Sequence, residues 1–173
     1  QGNAPKDDGG DLVERFREAC GGEGPTLVVD PLWGEPARAA IEAAAPGARI
    51  VQVGQRAIGS ARPGDFEDAR AWGASFIPAR AVHEHGIAAV IDAVPPGSQV
   101  VVTFDCDGLD PAIMPATGTP EPGGLSWYEI LRLLRAVHAA RNVVAVDLVE
   151  LSPLPGLAAP NFLCAKLVYK MLT

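Results

Sequence analysis

Basic residues are scarce: 14 Lys and Arg stand against 21 Asp and Glu in 173 residues, for a net charge of −7. Such a chain offers no concentrated positive face to track a phosphate backbone, which argues against nucleic acid as a partner. Long apolar runs are also missing. Gly, Pro or a charge interrupts every stretch before it reaches the roughly 20 residues of a membrane-spanning helix, so no membrane partner is expected. Cysteine is limited to Cys20, Cys106 and Cys164, odd in number and far apart. That suits neither a disulfide framework nor a CxxC zinc site, and points to a reducing, cytoplasmic setting. Gln1 to Gly10 is polar and Gly-rich, without the apolar segment of a secretory signal. Histidines number only three, His83, His85 and His138, all in or beside helical patterns.

What is present is a foldable composition, 48% hydrophobic and 20% charged, in a length that suits one domain over residues 1–173. Short β-branched runs alternate with Ala-rich helical runs, the pattern of a parallel sheet covered by helices. Strands are expected at Thr26–Asp30, Ile50–Gly54, Ser75–Ile77, Gln99–Asp105 and Val143–Glu150. Helices are expected at Asp11–Cys20, Glu35–Ala45, Asp65–Trp72, Ala81–Val94, from Ser126 to Ala140, and at Asn161–Leu172. Ser126 and Glu129 have capping-box spacing. The resulting class is α/β: a three-layer, open, mostly parallel sheet of about five strands with helices on both faces, Rossmann-like in outline. Between Cys106 and Gly124, four prolines and several glycines leave a long irregular loop, and loops of that length are usually functional.

In an open parallel sheet, ligands meet the carboxyl ends of the strands. Acids stand at three of those ends: Asp30, the pair Asp105 and Asp107, and Glu150. Residues two apart on an extended chain share a side, so Asp105 and Asp107 are expected to present both carboxylates to one cation while Cys106 faces away. Paired oxygens suit a hard or borderline divalent ion such as Mn²⁺ or Mg²⁺. Asp30 and Glu150 are candidates for further ligands or a general base. An Asp-x-Asp pair also occurs as a cap of loops and helices, and that reading stays open.

The stretch VTFDCDGLDPAIMPATGTPEPGGL, Val102 to Leu125, resembles the second metal-binding signature of the ureohydrolases, the arginase and agmatinase family. The resemblance runs from about Arg56 to the C-terminus and includes VAVDLVELSP. It implies that Asp105 and Asp107 ligate a manganese pair, that Glu150 pairs with a substrate guanidinium, that Asp110 and Pro111 shape the loop, and that Thr117, Gly118 and Thr119 wall the site. It also implies hydrolysis of a small guanidinium substrate with release of urea. The family's Asp-x-His-x-Asp motif and its earlier histidine have no counterpart here. His83-Glu84-His85 looks like a metal-binding HxH but matches an ordinary family helix, so a surface or core role is expected.

Residues 9–55 instead resemble the later Rossmann strands of medium-chain, zinc-type alcohol dehydrogenases or quinone oxidoreductases. The glycine-rich phosphate turn of those enzymes is absent, so no NAD(P) site is expected. The two resemblances meet at VQVGQRAI, Val51 to Ile58, and the chain reads as a fusion of two α/β fragments. The functional expectation is a weak metal-dependent hydrolase of activated ester, phosphoester or amidino substrates. Two alternatives are carried with it: Cys106 as a nucleophile without metal, and a non-catalytic Rossmann-like module, homodimeric through an exposed edge or apolar loops.

Overall fold

The β-branched runs become five strands in the computed structural model, which describes residues 9–22, 24, 27–29, 42–56 and 64–173. They are β1 (Leu27–Val29), β2 (Arg49–Val53), β3 (Ser75–Ile77), β4 (Gln99–Asp105) and β5 (Asn142–Val149). All pairings are parallel, in the order β3-β2-β1-β4-β5. The described helices are α1 (Gly9–Ala19), α2 (Asp65–Trp72), α3 (Ala79–His85), α4 (Ala88–Ala93), α5 (Trp127–Ala140) and α6 (Ala159–Leu172). The expected α/β class with helices on both faces is what the chain adopts.

Strand alternation sorts the core into two sides. Val100, Val102 and Phe104 of β4 pack with Val51, Val53 and Ile77 against residues of α3, α4, α5 and α6, including Val82, Val90, Leu134 and Leu167. Val101 faces the other way, with Ile50, Ala43 and Phe16 of α1. Three layers result.

Several boundaries differ from expectation for local reasons. The single helix expected over Ala81–Val94 is two helices, because Gly86 adopts φ 73 and its N–H caps on the Val82 carbonyl. Glycine reaches that left-handed region without the Cβ clash other residues meet. Most of the helix expected at Glu35–Ala45 falls outside the described residues. The Ser126 and Glu129 capping box forms at the start of α5 in both directions. The fourth strand has the bounds expected of it.

Strand order places the candidate site. Connections run from β1 outward to β3 on one side and from β4 to β5 on the other, so the direction of winding reverses between β1 and β4. The carboxyl ends beside such a reversal form the natural crevice of an open sheet. β1, from the segment read as dehydrogenase-like, is hydrogen-bonded to both β2 and β4. Both halves of the chain therefore share one sheet.

Candidate functional site

Asp105 ends β4 because its own side chain competes for the next backbone donors. Its Oδ1 accepts from the Asp107 N–H at 3.0 Å and caps a 3-10 turn over Cys106–Gly108, closed by Leu109 N–H to the Cys106 carbonyl. The expectation that the two acids lie on one face of an extended strand is therefore corrected. They come together through a capped turn, which the pleat does not describe.

The loop beyond the turn folds back over it. Leu125 N–H donates to the Gly108 carbonyl and Asp110 N–H to the Leu125 carbonyl. A Cβ on Gly124 would stand 2.4 Å from the Leu109 carbonyl carbon, so the backbone approach there admits only glycine. Asp110 ties the loop from within, accepting from Ala112 N–H and Gly123 N–H. Those backbone donors hold its carboxyl below the usual carboxylate range. The shaping role expected of Asp110 is thus visible in its bonds.

At the centre sit two buried carboxylates, Asp105 at 1% and Asp107 at 4% exposure. Burial pushes the Asp105 carboxyl up to about 8; the Asp107 N–H offsets part of this, while the charge and side chain of Asp107 and the charge of Glu150 add to it. The Thr119 hydroxyl donates to Asp107 Oδ2. Asp107 Oδ1 and the Thr117 hydroxyl are buried without a hydrogen-bond partner. A buried, partnerless carboxylate oxygen beside a second carboxylate is costly unless a cation shares it. The all-oxygen donor set fits a hard divalent ion. Among the described residues no third His, Cys, Asp or Glu joins the pair.

Glu150, directly after β5, is exposed and holds φ 62, an uncommon backbone conformation for a non-glycine residue. Its charge reaches Asp105, while Asp30 lies outside the described residues. His83 is not placed as a ligand: its Nδ1 lies 2.8 Å from Glu129 Oε1 and its Nε2 3.2 Å from the Gly123 carbonyl. His85 is exposed beside Glu84. The nucleophilic reading of Cys106 is corrected too. Its sulfur is fully buried, 3.4 Å from that of Cys164. The contact with Cys164 and then burial raise its pKa, so the nucleophilic thiolate is disfavoured.

Sequence reasoning missed Asp147 and Thr103, in register on β5 and β4 and on the face that Asp105 shares. Both Asp147 carboxylate oxygens and the Thr103 hydroxyl are buried without a bond of good geometry. Burial raises the Asp147 carboxyl to about 6, with the neighbouring Phe104 N–H and Thr103 hydroxyl holding it partly down. An acid in the middle of an apolar strand run was the available signal.

The comparisons with known proteins agree with this fold. A model described as Arginase family matches residues 29–173. The N(1)-aminopropylagmatine ureohydrolase of Thermus thermophilus is 37% identical over 170 residues, covering 91% of this chain and 56% of its own length. The one from Synechocystis is 47% identical over 74 residues, covering 43% of this chain and 24% of its own. The solved proclavaminate amidino hydrolase of Streptomyces clavuligerus superposes with a TM-score of 0.71 at 29% identity, covering 93% of this chain and 59% of that one. The chain thus spans little more than half the length of these two longer matches. The similarity reaches into the N-terminal segment and gives no support to the reading of residues 9–55 as dehydrogenase-derived or of the chain as a fusion. Short α/β units share strand patterns across unrelated families, so such a pattern alone does not identify a parent family. Homologues of this kind are metal-dependent hydrolases, and on its family match and its similarity along the sequence the chain belongs to the arginase family.

Proposed function

We propose that this chain carries part of a ureohydrolase-type centre, in which Asp105 and Asp107 hold a divalent cation for hydrolysis of a small amidino compound. The observation that carries the reading is the buried pair itself, with Asp107 Oδ1 left without a partner at the end of a central strand. Manganese is the metal typical of the family. When bound, such an ion supplies Lewis-acid polarisation and lowers the pKa of water. The chain's own residues contribute placement: the Asp105 cap fixes the turn, Thr119 orients one oxygen of Asp107, and the exposed Glu150 adds negative charge that reaches Asp105 and would draw a guanidinium cation. The relatives are named for ureohydrolase and amidino hydrolase activity, which favours amidino substrates over the activated ester or phosphoester that two acids alone would also suit.

Calorimetric titration with Mn²⁺ tests the reading, comparing the wild type with the Asp105→Asn/Asp107→Asn double variant. Binding heat in the wild type and at least a hundredfold weaker association in the variant are expected, because two charged first ligands are removed. Equal heats in the two proteins would reject the cation site. Urea release from agmatine and aminopropylagmatine, with and without Mn²⁺, then tests the substrate class.

A further inference from the structure

We infer that Arg56 is a positioning residue for the acid pair, clamping the Asp107 turn and the returning loop together so that one Asp107 oxygen is held and the other is kept bare. Arg56 lies three residues beyond β2. Since β1 separates β2 from β4 in the sheet, its side chain reaches past the carboxyl end of β1 to the turn that follows β4. One terminal nitrogen, Nη2, donates to the Asp107 carbonyl at 2.6 Å and to the Glu121 carbonyl at 2.6 Å. The other, Nη1, donates to the Gly54 carbonyl at 3.1 Å. Three segments, distant in sequence, meet on one planar fork.

That geometry is particular to a guanidinium. Its donors diverge in a fixed plane and stay charged, whereas an ammonium is a compact point charge on a flexible stem. All three acceptors are main-chain carbonyls, so the clamp sets backbone positions and leaves the Asp107 carboxylate untouched. Thr119 lies two residues before the Glu121 carbonyl that Arg56 grips. Holding Glu121 therefore holds the Thr119 hydroxyl against Asp107 Oδ2, and Oδ1 keeps its single orientation. Groups behind the first ligands commonly change metal affinity by about 10–100-fold through such orientation. His83 provides a contrast: it grips the same loop at Gly123 and α5 at Glu129, with neither bond to the turn.

The effect on cation binding rests on the reading proposed above; the clamp itself does not. Arg56→Ala, Arg56→Lys and the control His83→Ala are compared by amide hydrogen exchange of the metal-free protein, by Mn²⁺ calorimetry and by Tm. Arg56→Ala is expected to speed exchange at Asp107, Leu109 and Glu121 by about tenfold or more, and to weaken Mn²⁺ by about tenfold. Arg56→Lys should fall between it and the wild type, and added guanidinium ion should restore part of the Arg56→Ala loss. His83→Ala should leave exchange at Asp107 and the Mn²⁺ affinity unchanged at a comparable Tm loss. Wild-type exchange at those amides in Arg56→Ala, or an equal loss in His83→Ala, would overturn the inference. A wild type that binds no Mn²⁺ would reject the cation reading alone, with the exchange data still deciding the clamp.

Discussion

β4 and β5 run side by side and read much alike, QVVVTFD and NVVAVDLV, yet they live in different environments. β4 has a strand on each side and is buried from Val100 to Asp105, whereas β5 closes the described sheet and is half-buried from Val143 to Val149. The helix that follows each repeats the contrast. α5 buries Ile130, Leu131, Leu133, Leu134 and Val137, while α6 leaves Phe162, Tyr169 and Leu172 at 67%, 59% and 72% exposure. Place in the sheet, more than residue hydrophobicity, sets how deep a side chain lies. The acids differ for another reason: burial raises both, but Asp107 and Glu150 lift Asp105 further, to about 8, whereas hydrogen bonds from Phe104 and Thr103 hold Asp147 to about 6.

The largest effect that would sharpen this contrast lies in the helices. Leu134→Ala, at 4% exposure, should cost about 2–5 kcal/mol in urea unfolding, since transfer free energy and a cavity are lost together. Leu172→Ala at the exposed end of α6 should stay within about 0.5 kcal/mol. Equal losses would erase the distinction.

Next comes the pH dependence of the metal-free protein. A carboxyl whose folded pKa exceeds its unfolded value of 3.8 leaves the unfolded state binding fewer protons over the interval between the two. Stability therefore falls as pH rises, from about 4 to about 8 for Asp105 and from about 4 to about 6 for Asp147. Asp105→Asn should flatten the decline across the wider interval and Asp147→Asn only its lower part, as read by Tm at successive pH values. A decline unchanged by either substitution would show that these acids do not carry it.

Smaller effects belong to the loop that wraps the end of β4. Ser126→Ala removes half of the capping box and should cost about 1 kcal/mol in chemical unfolding. The His83–Glu129 contact is partly exposed and screened, so its effect is the smallest. Hydrogen bonds from Ser126 and His83 outweigh burial and hold Glu129 at about 2, while Glu129 first, then Gly123, raises His83 above 6.5. The Glu129 contribution is present above its unfolded 4.5 and is lost as pH falls toward about 2. The His83 contribution is full below 6.5 and is lost as pH rises through the folded value. The Tm difference between wild type and His83→Gln should therefore peak between about pH 4.5 and 6.5; a difference that grows above that window would contradict the pairing.

Much of this molecule follows from local sequence alone. The bounds of β4, the capping box at Ser126, the break-rich loop and the acids at strand ends are all set by neighbours a few residues apart, through period, propensity and cap chemistry. The resemblance of Val102 to Leu125 located the acid pair as well. Tertiary structure decided the rest. The meeting of Asp105 with Asp107 depends on a turn that the strand period does not describe, and Arg56 finds its carbonyls 51 and 65 residues away. Two similarly apolar β runs also diverge in burial. Such outcomes are fixed by which strands become neighbours and which backbone groups remain to be satisfied there, and a chain read residue by residue carries no local signal of either.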